Sequence, residues 1–185
     1  VHSVLTGDGR QIPCQAVILA VPSSRVEDVL PDELRNMGYL HGMNSLPLSP
    51  IVSIHMWLEQ EIMRHPMLGL VDRRVQWIFR REGYVSAVIS AAHEFVDLSN
   101  QTLANIAHED LLSVYGAKVG TPRHILVIRE KRATFSSTPG AEKRRPGART
   151  PLRNLFLAGD WTATGYPATI EGAIMSGEDA AQLAI

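Results

Sequence analysis

A chain of 185 residues with 45% hydrophobic and 20% charged residues can bury one sizeable core or two small ones, and it is not a disordered polymer. Its formal net charge of -1 gives neither nucleic acid nor an anionic membrane surface an overall attraction, so partners must be read from local sites. The single cysteine, Cys14, excludes an internal disulfide and a cysteine-built metal site, which makes a reducing, cytoplasmic location the default expectation.

The opening stretch VHSVLTGDGRQI reads as two short strands around Gly7-Asp8-Gly9. A third strand is expected over 16–21, where AVILAV is apolar at successive positions and so suits a strand buried on both faces. Such runs are far shorter than the roughly 20 residues that span a bilayer, and no leader pattern is visible. Because Val1 already stands inside this strand pattern, a preceding N-terminal region is expected. Pro22 stops the third strand, and Ser23 or Ser24 offers an N-cap for a short helix ending before Pro31. DELRNMGYLHGMNSLPLSP then reads as a second helical piece and a connector.

From Ile51 the period changes to two: Val52, Ile54, Met56 and Leu58 line one face, and Ser53, His55, Trp57 and Glu59 line the other. VQWIFRR and YVSAVISA repeat the strand pattern on either side of an Arg81-Glu82-Gly83 turn. Ser99 is placed to cap an amphipathic helix in which Leu103, Ala107, Leu111, Val114 and Tyr115 share a face, closed by Gly116. HILVIREKRATF returns to strand, and 136–153, rich in proline, glycine and arginine, reads as a solvated loop. A last strand over 155–158 and a last helix over 168–185 complete the chain, with no internal repeat.

The doubly buried strands thus stand at the two ends of the sequence, with alternating strands between them. That order predicts an α/β fold in which an α+β domain interrupts a nucleotide-type domain whose end strands meet. The expected boundaries are 1–22 for the opening hairpin and strand, 23–135 for the inserted domain, 136–154 for the loop, and 155–185 for the closing strand and helix.

LFLAGDWTATGYPATIEGAIMSG, residues 155–177, places the chemistry. Gly159 and Asp160 follow a buried strand, at the edge where α/β sheets hold ligands, and Asp160 can accept hydrogen bonds from sugar-like hydroxyls. Pro167 rigidifies the next turn, after which Ala168, Thr169 and Ile170 present N–H groups where a helix dipole favours partial negative charge. Gly172, Ala173, Ser176, Gly177 and Ala180 form a small-residue face suited to tight packing on a sheet or cofactor. On pattern alone, an ordinary strand, loop and packed helix with Asp160 as a turn residue is equally admissible.

NLFLAGDWTATGYPATIEGAIMSGEDAA resembles the C-terminal FAD motif of the flavin amine oxidase and carotenoid desaturase superfamily. Together with EKRATFSSTPG and RRPGARTPLR ahead of it, the stretch is most similar to the bacterial hydroxysqualene dehydroxylase family, the squalene-associated FAD-dependent desaturases. The similarity is specific over roughly 125–185 and weaker but continuous upstream. The resemblance implies the C-terminal part of a two-domain flavoprotein, with an α+β substrate domain inserted in an FAD-binding Rossmann-like domain. It implies that Gly159 and Asp160 contact the ribityl or pyrophosphate part of FAD, that Trp161 and Thr162 lie near the ring or its tail, and that the turn Pro167, Ala168, Thr169, Ile170 lies beside the pyrimidine edge. It names no catalytic side chain. No GxGxxG follows a strand here, so the family's N-terminal FAD-binding half is expected upstream.

The seven histidines include no pair three to five apart and no HExxH, so no metal site is expected. GxSxG and Walker A patterns are absent as well. His55 and Trp57 are candidates for the substrate pocket, as is the pair His93-Glu94, and Met56, Trp57, Met63 and Met67 could line an apolar tunnel. Lys143, Arg144, Arg145, Arg149 and Arg153 suit a solvated loop better than a phosphate site. The expected function is FAD-dependent reductive dehydroxylation of hydroxysqualene to squalene, with an isoprenoid substrate, an outside electron donor and room for peripheral membrane contact. The alternatives are another member of the superfamily, whether amine oxidase, carotenoid desaturase or porphyrinogen oxidase, and a non-catalytic truncated binding module.

Overall fold

A computed structural model of the chain describes residues 1–35, 39 and 46–185. The Gly7-Asp8-Gly9 signal closes an antiparallel hairpin of β1 (Ser3–Leu5) and β2 (Gln11–Pro13), with Gly9 at φ 84°. β3 (Val17–Leu19) follows and stops before Pro22. The short helix expected next is two 3₁₀ turns, Ser23–Arg25 and Glu27–Val29, and neither Ser23 nor Ser24 caps it. Pro22, extended at φ -53° and ψ 144°, takes the cap position, and Ser23 is already inside the turn. α1 (Asp32–Arg35) comes next, and residues 36–38 and 40–45 of the expected helical piece and connector lie outside the described residues.

The remaining elements are β4 (Leu48–Trp57), β5 (Met67–Gly69), β6 (Trp77–Arg81), β7 (Tyr84–Ile89), α2 (Asn100–Tyr115), β8 (His124–Phe135), β9 (Leu155–Leu157) and α3 (Ile170–Ala184). Among the described residues no helix is long and apolar enough to cross a membrane. The chain divides into two compact units, one formed by Val1–Pro47 with Thr134–Ile185 and the other by Leu48–Ala133.

In the second unit the strands order as β5-β6-β7-β4-β8. The period of two in β4 sends Val52, Ile54 and Met56 to one face, where they are fully buried with Ile78, Ala87 and Ile89 under Leu103, Ala107 and Leu111 of α2. Ser99 caps α2 by accepting the Thr102 N–H at 3.0 Å, and Gly116 closes it at φ 60°. Val114, expected on the buried face, is exposed, whereas its neighbour Tyr115 packs partly buried against the core. The tunnel reading fails too. Met56 and Met63 are buried in the α2-covered core, whereas Trp57, one residue after Met56, stands on the opposite face and Met67 is exposed.

In the first unit β3 and β9 pair in parallel, with Val17 opposite Leu155 and Leu19 opposite Leu157, so the two end strands meet as neighbours. All of β9 is buried, but β3 is not buried on both faces: Ile18 is 39% exposed. α3 covers Phe156, Ala158 and the edge residue Ala16, and leaves Ile18 outside the cluster. The opposite face packs Val26, Leu30, Leu46, Leu155, Leu157 and Trp161 together, which draws residues 23–47 into this unit rather than into the middle sheet.

Asp110 is the buried charge of the second unit, its carboxylate accepting the Val75 N–H at 2.9 Å and lying 3.6 Å from the Arg74 guanidinium. Asp110→Ala should therefore lower the unfolding free energy by about 1.5 to 3 kcal/mol, because it strands a buried N–H. Urea denaturation checks this, and a loss under about 0.5 kcal/mol, the size of an ordinary surface effect, would refute it.

Candidate functional site

β9 leads through Ala158 to Gly159, whose φ of 147° is one that L side chains rarely adopt. A Cβ at Gly159 would also overlap the Trp161 indole. The Gly159 N–H donates to Ser176 Oγ at 2.8 Å, fastening the strand end to α3, and the Gly159 carbonyl accepts from Thr162 N–H at 3.0 Å and Thr162 Oγ1 at 2.9 Å. Trp161 is buried with its indole N–H donated to the Val21 carbonyl at 3.1 Å. The resemblance places Trp161 and Thr162 beside a flavin, but here their polar atoms are committed to holding the turn from within.

Asp160 is half-buried. Burial raises its carboxyl above the usual carboxylate value, opposed by the Arg145 charge and by the backbone N–H groups of Asp160 and Trp161. Pro167, Thr169 and Ile170 are exposed and Ala168 half-buried. α3 begins at Ile170 rather than at Ala168, because Thr169, extended at φ -140°, is the N-cap and accepts the Gly172 N–H at 3.1 Å. The first N–H groups of α3, at Ile170 and Glu171, therefore have no partner within the helix, as at any helix start. A cleft of about 280 Å³ borders this turn, lined by Phe135, Ser137, Thr138, Glu142, Tyr166 and Pro167.

Gly172 and Gly177 part company. A Cβ on Gly172 would meet the Pro167 carbonyl oxygen at 3.0 Å, whereas one on Gly177 would meet nothing within 4 Å, so the close packing expected at both exists in this chain at Gly172 alone of the two.

The loop over 136–153 is not wholly solvated. It contains a 3₁₀ turn, Glu142–Arg144, and buries Ala141 and Arg145. Arg145 donates to the carbonyls of Asp160, Thr162 and Tyr166. Sequence reasoning missed it, since a basic residue between glycines and prolines carries no signal of burial.

In the second unit His55 and Trp57 do share a face. Trp57 stacks on Tyr84 with centroids 4.8 Å apart and tilts against His124 at 5.0 Å, and the His55 ring meets the edge of Tyr84 at 5.3 Å. Burial, helped by the charge of Arg81, holds the His55 pKa below the usual imidazole value, and its Nδ1 is buried with no hydrogen-bond partner among the described residues. Trp77 and Phe79 stack at 6.4 Å on the same side of β6. Tyr84 could have been found from sequence, because the Gly83 turn sets Arg81 opposite Tyr84. His93 and Glu94 are exposed. A cleft of this unit, about 540 Å³, is lined by Glu61, Met63, Arg81 and Tyr84 among others, and neither His55 nor Trp57 lines it.

A carboxylate at the end of a buried parallel strand, followed by an open helix start, is the ligand-binding edge of an α/β fold. The same fold occurs in a cofactor-binding redesign of putrescine oxidase, with a TM-score of 0.67 and 17% identity over 98% of this chain and 45% of that one. An oxidoreductase from Methanosarcina mazei shares it as well, at a TM-score of 0.67 and 18% identity over 95% of this chain and 44% of that one. The chain belongs to the Flavin containing amine oxidoreductase family, which it matches over residues 1–185. Hydroxysqualene dehydroxylase of Sinorhizobium fredii is 36% identical over 94% of the chain and 39% of the relative, and that of Zymomonas mobilis 37% identical over 91% and 38%. A 15-cis-phytoene desaturase of an Oncidium hybrid is 25% identical over 97% of the chain and 33% of the relative. The chain spans about two fifths of the length of the dehydroxylases it matches.

The residues present fit the flavin that the family implies. The Asp160 carboxylate accepts no hydrogen bond from a side chain among the described residues and is available to a hydroxyl, the α3 start offers N–H donors, and a Cβ on Gly172 would press on the Pro167 carbonyl at 3.0 Å.

Two measurements check this geometry. Gly172→Ala should destabilise by about 1 to 3 kcal/mol through overpacking, and Gly177→Ala should stabilise by up to about 1 kcal/mol through helix propensity, both read by thermal unfolding. A raised folded-state pKa at Asp160 means that the stability this group contributes is full below the ordinary carboxylate value and is lost as pH rises through the raised one. Relative to Asp160→Asn, the parent protein should therefore lose unfolding free energy as pH rises above the ordinary carboxylate value of about 4, and a flat difference would refute the burial effect.

Proposed function

We propose that the chain carries the flavin-end contacts and the substrate-facing sheet of an FAD-dependent oxidoreductase that removes the hydroxyl of hydroxysqualene to give squalene. The observation that carries the reading is the Gly159–Ile170 turn, a half-buried carboxylate and an open helix start supported by packed small residues. The 36% and 37% identity to hydroxysqualene dehydroxylases supports the substrate. In this reading the first unit belongs to the FAD-binding domain and the second is the substrate domain inserted in it.

Asp160 accepts a hydrogen bond from a ribityl hydroxyl or beside the pyrophosphate, and the α3 dipole favours negative charge next to Pro167, Ala168, Thr169 and Ile170. Reduced FAD held there would supply hydride chemistry, with the allylic hydroxyl of the substrate lost as water on taking up a proton and the electrons coming from an outside donor. His55, Trp57 and Tyr84 present aromatic surface to a long isoprenoid, and burial favours the neutral form of His55 within it. Such a substrate partitions into membranes, so a cytoplasmic protein with peripheral membrane contact suits it.

The phytoene desaturase of the Oncidium hybrid, matched over 97% of the chain, favours one second reading, a carotenoid-type desaturase. FAD titration and a product assay test both. Asp160→Asn should weaken FAD about tenfold to a hundredfold, the loss of one charge-assisted hydrogen bond, and unchanged affinity would remove Asp160 from the site. With hydroxysqualene and dithionite under anaerobic conditions, the flavin-loaded protein should release squalene. Formation of a new double bond in phytoene, with no squalene formed, would select the second reading.

A further inference from the structure

Arg145 lies in a stretch of prolines, glycines and basic residues, yet its side chain is only 1% exposed. One Nη donates to the Glu142 carboxylate at 2.6 Å and to the Tyr166 carbonyl at 2.7 Å. The other donates to the Asp160 carbonyl at 3.1 Å, to the Thr162 carbonyl and to Thr164 Oγ1 at 3.2 Å. The Phe135 ring faces the guanidinium at 5.0 Å. A guanidinium taken out of water needs acceptors for its donors; both Nη groups have them here, three of the acceptors being carbonyls of a single seven-residue turn, 160–166, while Nε is buried without a partner among the described residues. Carbonyls gathered on one buried cation cannot rotate independently. The planar fork of arginine serves such a spread of acceptors, and the point charge of lysine does not.

We propose that Arg145 is a positioning residue for the cofactor, fixing from within the turn that carries Asp160 and leads into α3. The inference rests on the flavin reading above and goes beyond it: affinity for FAD would depend on a residue that touches carbonyls of the turn rather than the cofactor.

The test compares the flavin-loaded parent protein with Arg145→Lys and with Glu142→Gln, which removes the exposed carboxylate that orients the guanidinium. FAD titration and the visible flavin absorption bands are read at a temperature where circular dichroism shows each protein folded. Expected are a Kd weaker by about tenfold or more for Arg145→Lys and by about threefold for Glu142→Gln, with altered flavin bands. Guanidinium added at millimolar concentration to Arg145→Gly should restore both, which a loss of fold stability alone would not allow. Unchanged affinity and bands in the folded variants would overturn the proposal while leaving the flavin reading intact. If Arg145→Lys does not fold, Glu142→Gln decides by the same measure. A parent protein of the relatives' full length that binds no FAD would overturn the flavin reading, and the role of Arg145 with it.

Discussion

A backbone that passes from strand to helix through small residues has few side chains of its own to partner its carbonyls. In the 159–167 stretch Thr162 serves the Gly159 carbonyl from within, and the buried Arg145 guanidinium, from elsewhere in the first unit, serves those of Asp160, Thr162 and Tyr166. Ser176 takes the Gly159 N–H, Thr162 closes back on the Gly159 carbonyl, and Thr169 caps α3. A buried cation is costly in itself, so its net worth to stability is small and its effect is conformational: it selects one arrangement of the turn over others with similar packing. Everything a ligand could use at this edge, the Asp160 carboxylate and the first N–H groups of α3, sits on backbone that these bonds hold.

The second unit meets a different constraint. Its sheet has one face under α2, and the strict alternation of β4 assigns Val52, Ile54 and Met56 to that face and Ser53, His55 and Trp57 to the other. The register of the β6–β7 hairpin then brings Tyr84 and Ser86 to the side that carries His55 and Trp57. An aromatic side chain on an open sheet face buries area against its neighbours even where no helix covers it, which is why Trp57 and Tyr84 stack. A polar ring nitrogen in that company, His55 Nδ1, goes without a partner.

Legibility followed the range of the interaction. Features set within a few residues were readable: the hairpins at Gly9 and Gly83, the Ser99 cap, the Gly116 stop and the period of two in β4. The stretch around Gly159-Asp160 was readable as a ligand edge because its chemistry lies in glycine and in a strand end. Features set by distant partners were not. Ile18 lies outside the cluster that α3 forms with Phe156, and Val114 is exposed although Tyr115 beside it packs on the core. Gly177 has the same composition signal as Gly172, but only the latter has the Pro167 carbonyl against it. Arg145 was the largest omission: its burial depends on carbonyls 15 to 21 residues later in the chain, which no local pattern records.

This division bears on how far the family likeness can carry function. Contacts to a flavin drawn from backbone N–H groups, glycines and one carboxylate would demand the same small residues whatever substrate is turned over, and the fold that would present them recurs in proteins of 17% to 18% identity. Discrimination between substrates would rest instead on side chains of an open sheet face, where size and polarity can change without disturbing the ladder beneath. His55, Trp57, Tyr84 and His124 are of that kind: each is held by its strand, and none is needed by the α2-covered core. In the reading proposed above, the substrate would be met by the aromatic face of the second unit, and the flavin by the turn that glycines and a buried arginine hold in the first.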